Sequence, residues 1–436
     1  MPSPPPAPAP RASAPAAPLW VRGVGHRAAK RFTDGTHRCC APEETFARIR
    51  PHFAAAGITR LADVSGLDRV GVTTVVAVRP NARSLSTAAG KGFTRAAATV
   101  SAAMEALECY HAEHVRLPTT VATYRELESA GATIPLDCLP LARRSLFRPT
   151  RPEAWLAGWD LVAQRDTWVP YHGVALVDPP APRPPLARSF VQDSNGLASG
   201  NHLLEAACAA LYELIERDAV ACHRLAEFRT GYRAPLVALD AVESPLVQDL
   251  LARFRAVGLR ATARDCAVDT DVPVYMAHLV DERDRNVGVF GGWGAHLDPD
   301  VALIRALTEA AQSRAVYVSG SRDDVFRCDE RQARFDDTPA AVAALLAPGS
   351  DRDGAPGAIR PSGAGASFEA DATTLVGRLR GVGVEQVILV DLGHEEFGIP
   401  VVKAIAPGLE GYTSHNYVAG RRAAAFCAAH PGGRSS

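Results

Sequence analysis

The stretch "EAACAALYELIERDA", Glu205 to Ala219, decides how the rest of the chain is read. Three glutamates, an arginine and an aspartate interrupt an otherwise apolar helical segment. At about 3.6 residues per turn, Glu216 returns to within roughly 20° of Glu205, while Glu213 stands about 80° away. Two carboxylates therefore share a face and the third flanks them. Immediately upstream, "SNGLASGN" reads as a loop by composition. It offers backbone N–H groups at the start of the helix, where the helix dipole favours an anion. Arg217, beside Glu216, is placed to clamp phosphate oxygens by charge-assisted contacts.

A second helix repeats the theme. In "TRAAATVSAAMEALECYHAEHV", Ser101, Glu105 and Glu108 fall at i, i+4 and i+7 and share a stripe. A solvated helix face would account for Glu105 and Glu108 alone. Five glutamates on two such apolar helices lack enough neighbouring lysine or arginine to neutralise them. All-oxygen ligands of this hardness suit Mg²⁺, which typically joins one or two carboxylates to substrate phosphates, so an ATP site is expected. A P-loop is rejected: in "LSTAAGKGFT", Leu85 stands where the first glycine should be, and Gly92 follows the lysine in place of Ser or Thr. Lys91 either neutralises a phosphate or caps the "AAGKG" turn expected to open the helix, and both readings stay open. The histidines nearby, His111, His114, His202 and His223, match no standard metal-ligand spacing, and "HEEFG" at His394 lacks the second histidine of a metalloprotease motif. Cys109 and Cys208 lie within the two helices and read as small core residues.

Working outward, "GVTTVVAVRP" has the β-branched richness of a strand, and Trp155 to Val177 reads as two strands joined by a polar turn. The second half alternates a helix at "SPLVQDLLARFRAVG", strands at "VPVYMAHLV" and "NVGVFGGW", and a long helix at "DPDVALIRALTEAAQSRAVYV" that Asp298 or Asp300 caps. A Gly/Asp/Pro-rich interval, "APGSDRDGAPGAIRPSGAGA", reads as a mobile surface loop before a last helix and two strands. Such interleaving predicts an α/β fold of mixed sheets with packed helices.

The 436 residues are long enough for a large core, and 47 basic against 48 acidic residues give no support for a nucleic-acid or anionic-membrane partner. Nine scattered cysteines without a C-x-x-C argue against structural zinc or a disulfide framework and for a reducing, cytoplasmic setting. Residues 1–20, rich in proline and alanine, are expected to be a disordered leader without the apolar region of a signal peptide. No apolar run approaches the roughly 20 residues that span a bilayer.

In combination, "GKGFTRAAATVSAAMEALE", "SNGLASGNHLLEAACAALYELIERDA" and "ALTEAAQSR" resemble the YcaO family, in matching order from about Lys30 to Glu410. The resemblance implies a catalytic domain over 30–420, a short C-terminal tail at 421–436, and a non-P-loop site for ATP and Mg²⁺. It implies Glu105, Glu108, Glu205 and Glu216 as metal ligands, with Glu213 acting through water or beside the ligands, and Glu213 and Arg217 as the catalytic residues. It implies nucleotide contacts from Ser101, Asn201 and Arg217, and from Arg38 and Thr45, where some members have lysine and serine. Arg305, Glu309, Gln312 and Arg314 on the later helix are further phosphate or metal-water candidates. In the loop, Ala198 replaces a serine of some members, and Ser199 is its neighbour. The implied chemistry is phosphorylation of a backbone amide oxygen in a ribosomal precursor peptide. Attack by a neighbouring Cys, Ser or Thr then gives an azoline, and attack by external sulfide gives a thioamide. The chain ends "AAFCAAHPGGRSS", without the proline-rich tail common in azoline-forming members, so thioamidation with a TfuA-like partner is expected. A separate leader-peptide-binding protein and a homodimer are further expectations, and a non-catalytic scaffold is the alternative that the retained glutamates oppose.

Overall fold

The computed structural model describes residues 16–179, 189–283, 289–321, 345, 359–411 and 417–431. The first part runs β1 (Leu19–Val21), β2 (Val24–His26), α1 (Pro42–Ile49), α2 (Phe53–Ala56), β3 (Arg60–Asp63), β4 (Thr73–Val78), β5 (Thr87–Gly92) and α3 (Arg95–Glu113). Next come β6 (Thr120–Thr123), α4 (Tyr124–Ser129), β7 (Pro152–Asp160), β8 (Arg165–Pro170), β9 (Leu197–Ser199) and α5 (Leu203–Thr230). The rest comprises α6 (Pro245–Ala256), β10 (Leu259–Asp265), β11 (Val274–Asp281), β12 (Val289–Ala295), α7 (Pro299–Ser319), α8 (Phe368–Gly381), β13 (Ile388–Asp391), β14 (Val401–Ile405) and α9 (Arg421–Ala429). The architecture is mixed α/β, with several sheets and packed helices.

One sheet takes the order β6-β7-β13-β14-β9 with β8 also on β7, and the triplets β3-β4-β5 and β10-β11-β12 form two smaller sheets beside the β1-β2 hairpin. Every pairing between these strands is antiparallel. Three apolar clusters fill the interior, and each owns one long helix. The alanine-rich face of α3 packs in the first, Leu204 to Val220 of α5 in the second, and Ala302 to Ala311 of α7 in the third.

Two segments differ from the reading of the sequence. "AAGKG" is not a turn but most of β5, and its glycines serve close approach. A Cβ on Gly90 would lie 2.0 Å from the Ala102 backbone nitrogen, so only glycine lets this strand rest on α3. Gly294 of β12 does the same against α7, where a Cβ would meet the Ala302 carbonyl at 2.1 Å. "SNGLASGN" likewise contains a strand, because Leu197, Ala198 and Ser199 pair with Lys403, Val402 and Val401 of β14.

At the termini, residues 1–15 of the expected leader lie outside the described residues, whereas Leu19 and Trp20 belong to β1. Positions 347–358 of the Gly/Asp/Pro interval also lie outside them, and 359–366 carry neither helix nor regular strand. The expected tail from 421 is largely helix α9, docked on α5. Arg422 joins the buried Asp218 of α5 to Asp269, and the Glu410 carboxylate accepts the Gly420 and Ala423 backbone N–H groups at the helix start. No described helix is long and apolar enough to cross a membrane.

Candidate active site

Three long helices supply the candidate side chains, and each has local reasons to start where it does. Thr94 caps α3 by accepting the Ala97 N–H, the His202 ring caps α5 through the Leu204 N–H, and Asp298 caps α7 through the Asp300 and Val301 N–H groups. Gly231 and Gly320 end α5 and α7 in the left-handed conformation. The helices are held around a common centre by shared strands. Both α3 and α5 pack on β9, α5 and α7 on β12, and α3 and α7 on β5.

Toward that centre α3 contributes Glu105 and Glu108, α5 contributes Glu213, Glu216 and Arg217, and α7 contributes Arg305 and Glu309. Glu108 accepts both the backbone N–H of Ser199 at 2.8 Å and its hydroxyl at 2.6 Å. Burial, helped by the charges of Glu105 and Glu213, pushes the Glu108 carboxyl up to about 8 against those two bonds. Glu213 is pushed up to about 7 by desolvation and by Glu216, against the opposing charges of Arg217, Lys403 and Arg305. Glu216 accepts the Ala295 N–H of β12 at 3.1 Å, and burial and the charge of Glu309 raise its pKa. Glu309 runs the other way. Burial would raise it, but Lys91, Arg217 and Arg305 hold it low, and Lys91 Nζ lies 3.3 Å from its carboxylate. Arg217 Nε is 3.9 Å from Glu213.

A second group gathers at the N-terminus of α5. Glu205 accepts the Cys39 N–H at 2.8 Å and bonds from Asn201 Nδ2 at 3.3 and 3.5 Å, and Arg38 Nε lies 3.8 Å away. Thr45 Oγ1 donates to Asn201 Oδ1 at 3.0 Å, and Arg48 donates to the Asn201 carbonyl. Arg38, Thr45, Asn201 and Glu205 are therefore brought together, although they come from two segments far apart in the chain. Eleven residues separate Glu205 from Glu216, which is about 16 Å along the helix axis. The two glutamates therefore serve separate groups along α5.

Ser101 stands one turn before Glu105 on the same stripe of α3, half-buried. Arg314 does not join the others. Nine residues beyond Arg305, it leaves α7 on the opposite side, about 180° round. There its guanidinium is buried, bonded to Asp68 at 2.9 Å and lying 3.1 Å from Asp281. Its nucleotide assignment gives way to this ion-pair network. Gln312 also turns aside, donating to the Ala89 carbonyl of β5.

One residue escaped the reading of the sequence, and another gained a partner: Ser199, read there only as the neighbour of Ala198, is placed by β9 against Glu108. Lys403 is buried in β14, donates to the Asp193 carbonyl at 2.7 Å, and has its pKa lowered by burial against the pull of Asp193 and Glu213. A lysine within the apolar "IPVVKAIAP" was the available signal.

The side chains of the site are of the kinds that suit Mg²⁺ and phosphate. Burial raises the pKa values of Glu108, Glu213 and Glu216, and a bound cation would favour their charged forms. Arg305 Nε is buried without a hydrogen-bond acceptor among the described residues, which suits an anion.

Comparison with known proteins agrees with this chemistry. A family model described as YcaO cyclodehydratase, ATP- and Mg²⁺-binding, matches residues 89–410. The protein of the tfuA 3′ region of Rhizobium leguminosarum bv. trifolii is 34% identical over 402 residues, 90% of this chain and 93% of that protein. An uncharacterized protein of Methanothermobacter thermautotrophicus is 34% identical over 404 residues, 87% of this chain and 97% of its own. Among solved structures, a heterocyclase in complex with substrate and cofactor shares the fold with a TM-score of 0.75 and 23% identity, over 93% of this chain and 56% of that one. YcaO from Methanopyrus kandleri bound with AMPPCP and Mg²⁺ superposes with a TM-score of 0.65 and 24% identity, over 88% of this chain and 95% of that one. With the family model running from β5 past β14 and relatives matched over nearly their whole length, the chain belongs to the YcaO family of ATP- and Mg²⁺-binding, peptide-modifying enzymes.

Proposed function

We propose that this protein uses ATP to activate a backbone amide of a ribosomally made peptide and installs a thioamide with an external sulfur donor. The observation that carries the activation step is the convergence of Glu105, Glu108, Glu213 and Glu216 from α3 and α5, and Glu309 from α7, with Arg217, Arg305 and Lys91. Glu105, Glu108, Glu205 and Glu216 would hold Mg²⁺, with Glu213 beside them. When bound, Mg²⁺ screens the triphosphate and the charge that develops as the γ-phosphoryl group moves. The 16 Å or so between Glu205 and Glu216 suits an extended polyphosphate better than one compact ion. Arg38, Thr45, Ser101 and Asn201 would orient the nucleotide at the N-terminal end of α5, and Arg305 and Arg217 would meet phosphate oxygens.

In the first step the amide oxygen forms a bond to the γ-phosphorus and ADP departs. Sulfide then adds to the amide carbon, the C–O bond breaks, and phosphate leaves, so that sulfur replaces oxygen with no net oxidation. Glu213, near 7 in the protein, is suited to exchanging a proton with the amide N–H or the incoming thiol. The relative encoded in the tfuA 3′ region supports the thioamide branch and a TfuA-like partner for this chain. The cyclodehydratase description of the family model favours a second reading, azoline formation by an internal Cys, Ser or Thr.

Incubating the protein with Mg·ATP, a candidate precursor peptide, sulfide and a TfuA-type protein, then weighing the peptide by mass spectrometry, separates the readings. Exchange of oxygen for sulfur is expected. Loss of one water without sulfide identifies an azoline instead. In either case Glu216→Gln should abolish both product and ATP turnover, and unchanged product with a folded variant would refute the catalytic assignment.

A further inference from the structure

Among the described residues, nitrogens of His37, His111, His223, His278 and His394 are buried without a hydrogen-bond partner. Only two of those rings touch each other: the centroids of His111 and His394 lie 4.5 Å apart. His111 stands in the last turn of α3, and His394 directly precedes the Glu395–Phe397 turn that leads toward β14. Backbone contacts fix both tautomers. His111 Nδ1 faces the Leu107 carbonyl at 2.7 Å, and His394 Nε2 faces the His114 carbonyl at 2.9 Å. A carbonyl only accepts, so these nitrogens carry the ring protons, and His111 Nε2 and His394 Nδ1 are left with free lone pairs. Burial keeps both rings neutral, bringing His111 down to about 4 and lowering His394 as well.

A neutral imidazole whose other nitrogen donates to a backbone carbonyl is set up as a metal ligand. Two such rings meet here without a third donor. Among the described residues, three donors converge within 4.8 Å only at His37, His296 and Asp371. That group is the poorer site: His296 Nδ1 accepts the Asp298 N–H, so a neutral ring keeps its proton on the other nitrogen, and Lys30 already lies 2.6 Å from Asp371. At His111 and His394 the ligand set is two neutral nitrogens. The Tyr110 and Phe397 rings enclose them, with centroids 4.9 to 5.9 Å from those of the two histidines. Mg²⁺ requires oxygen ligands and Zn²⁺ takes four donors. Monovalent copper accepts two nitrogen ligands, and its single charge suits an aromatic surround. The fixed charges that reach both rings, Arg116 and Glu396, are paired with each other.

We propose that His111 Nε2 and His394 Nδ1 bind one monovalent copper ion. The inference rests on these two rings and not on the proposed reaction. The test is anaerobic titration of the full-length protein with Cu(I) against a chromophoric chelator, beside copper X-ray absorption of the one-to-one complex. Free cysteines also take up Cu(I), so the absorption spectrum is the deciding readout. Scattering from two nitrogens without sulfur is expected, together with an affinity loss of about tenfold or more in His111→Phe and in His394→Phe. Circular dichroism matching the wild type shows that the variants are folded, and should either fail to fold, the wild-type spectrum decides alone. Sulfur scattering, undiminished affinity in both folded variants, or no uptake in competition with the chelator would overturn the proposal. The last result would leave a bridging water as the partner of the two nitrogens.

Discussion

Ser199 and Glu108 show how much a single hydroxyl contributes in a dry site. Burial makes Glu108 reluctant to ionise, and the two bonds from Ser199 are what favour its charged form. Ser199→Ala removes one of them and leaves the backbone N–H in place. A hydrogen bond to a charged group contributes about 1.5–3 kcal/mol, so Mg·ATP affinity should fall roughly ten- to a hundredfold with little change in melting temperature. Isothermal titration of the variant checks this, and Ser199→Thr should restore binding. That pairing was invisible along the chain because its partners stand 91 residues apart. The carboxylates themselves were readable, since spacings of three, four and eleven residues fall on one helical face whatever surrounds the helix. The same periodicity argues against Arg314. Grouping it with Arg305 by proximity in sequence ignored the half-turn between them.

Elements were readable where their periodicity ran long. The helices α3, α5 and α7 fall where their apolar patterns predict, whereas β5 and β9 do not, for different reasons. Glycine in β5 looks like a turn signal but answers the close contact with α3, and three residues of β9 are too few to show alternation. Helix α9 was missed because its burial depends on a surface supplied by α5. That interface carries a pH dependence. The His223 ring packs 4.7 Å from Phe426, and burial, with a further push from His430, brings its pKa down to about 4 despite a bond to the Cys266 backbone. Freed from the interface, the ring returns toward its usual value of 6.5. Above that pH both states are neutral and the histidine adds nothing. As pH falls from 6.5 toward 4 the undocked state takes up a proton that the docked state refuses, which weakens docking by up to about 3 kcal/mol. The buried Asp218, whose pKa burial raises despite Arg422, acts in the opposite sense and is common to both proteins compared. Hydrogen exchange of α9 amides, corrected for intrinsic rates, should therefore accelerate on acidification in the wild type and markedly less in His223→Phe. Equal acceleration in both would show that His223 remains buried when α9 opens.

At the scale of the molecule, the site lies where helices from the three apolar clusters bring charged groups together. Each of α3, α5 and α7 is anchored in its own cluster, and their inward faces present carboxylates that repel one another across the gap. In the absence of a ligand that repulsion opposes closure, and β5, β9 and β12 are the struts that resist it. A ligand carrying both signs of charge reverses the balance for all three helices at once. Binding only to the folded state adds about 2.7 kcal/mol of stability at a hundredfold excess over Kd. Because the ligand spans the junction, the added protection should appear together in β5, β9 and β12, and extend along α5 to the Asn201–Glu205 end. Hydrogen exchange with and without Mg·ATP measures this directly. Glu216→Gln should abolish the protection in all three strands, including β5, which it does not touch. Slowing confined to β9 and the start of α5 would instead mean that the nucleotide engages only the Glu205 group and leaves the three-helix junction open.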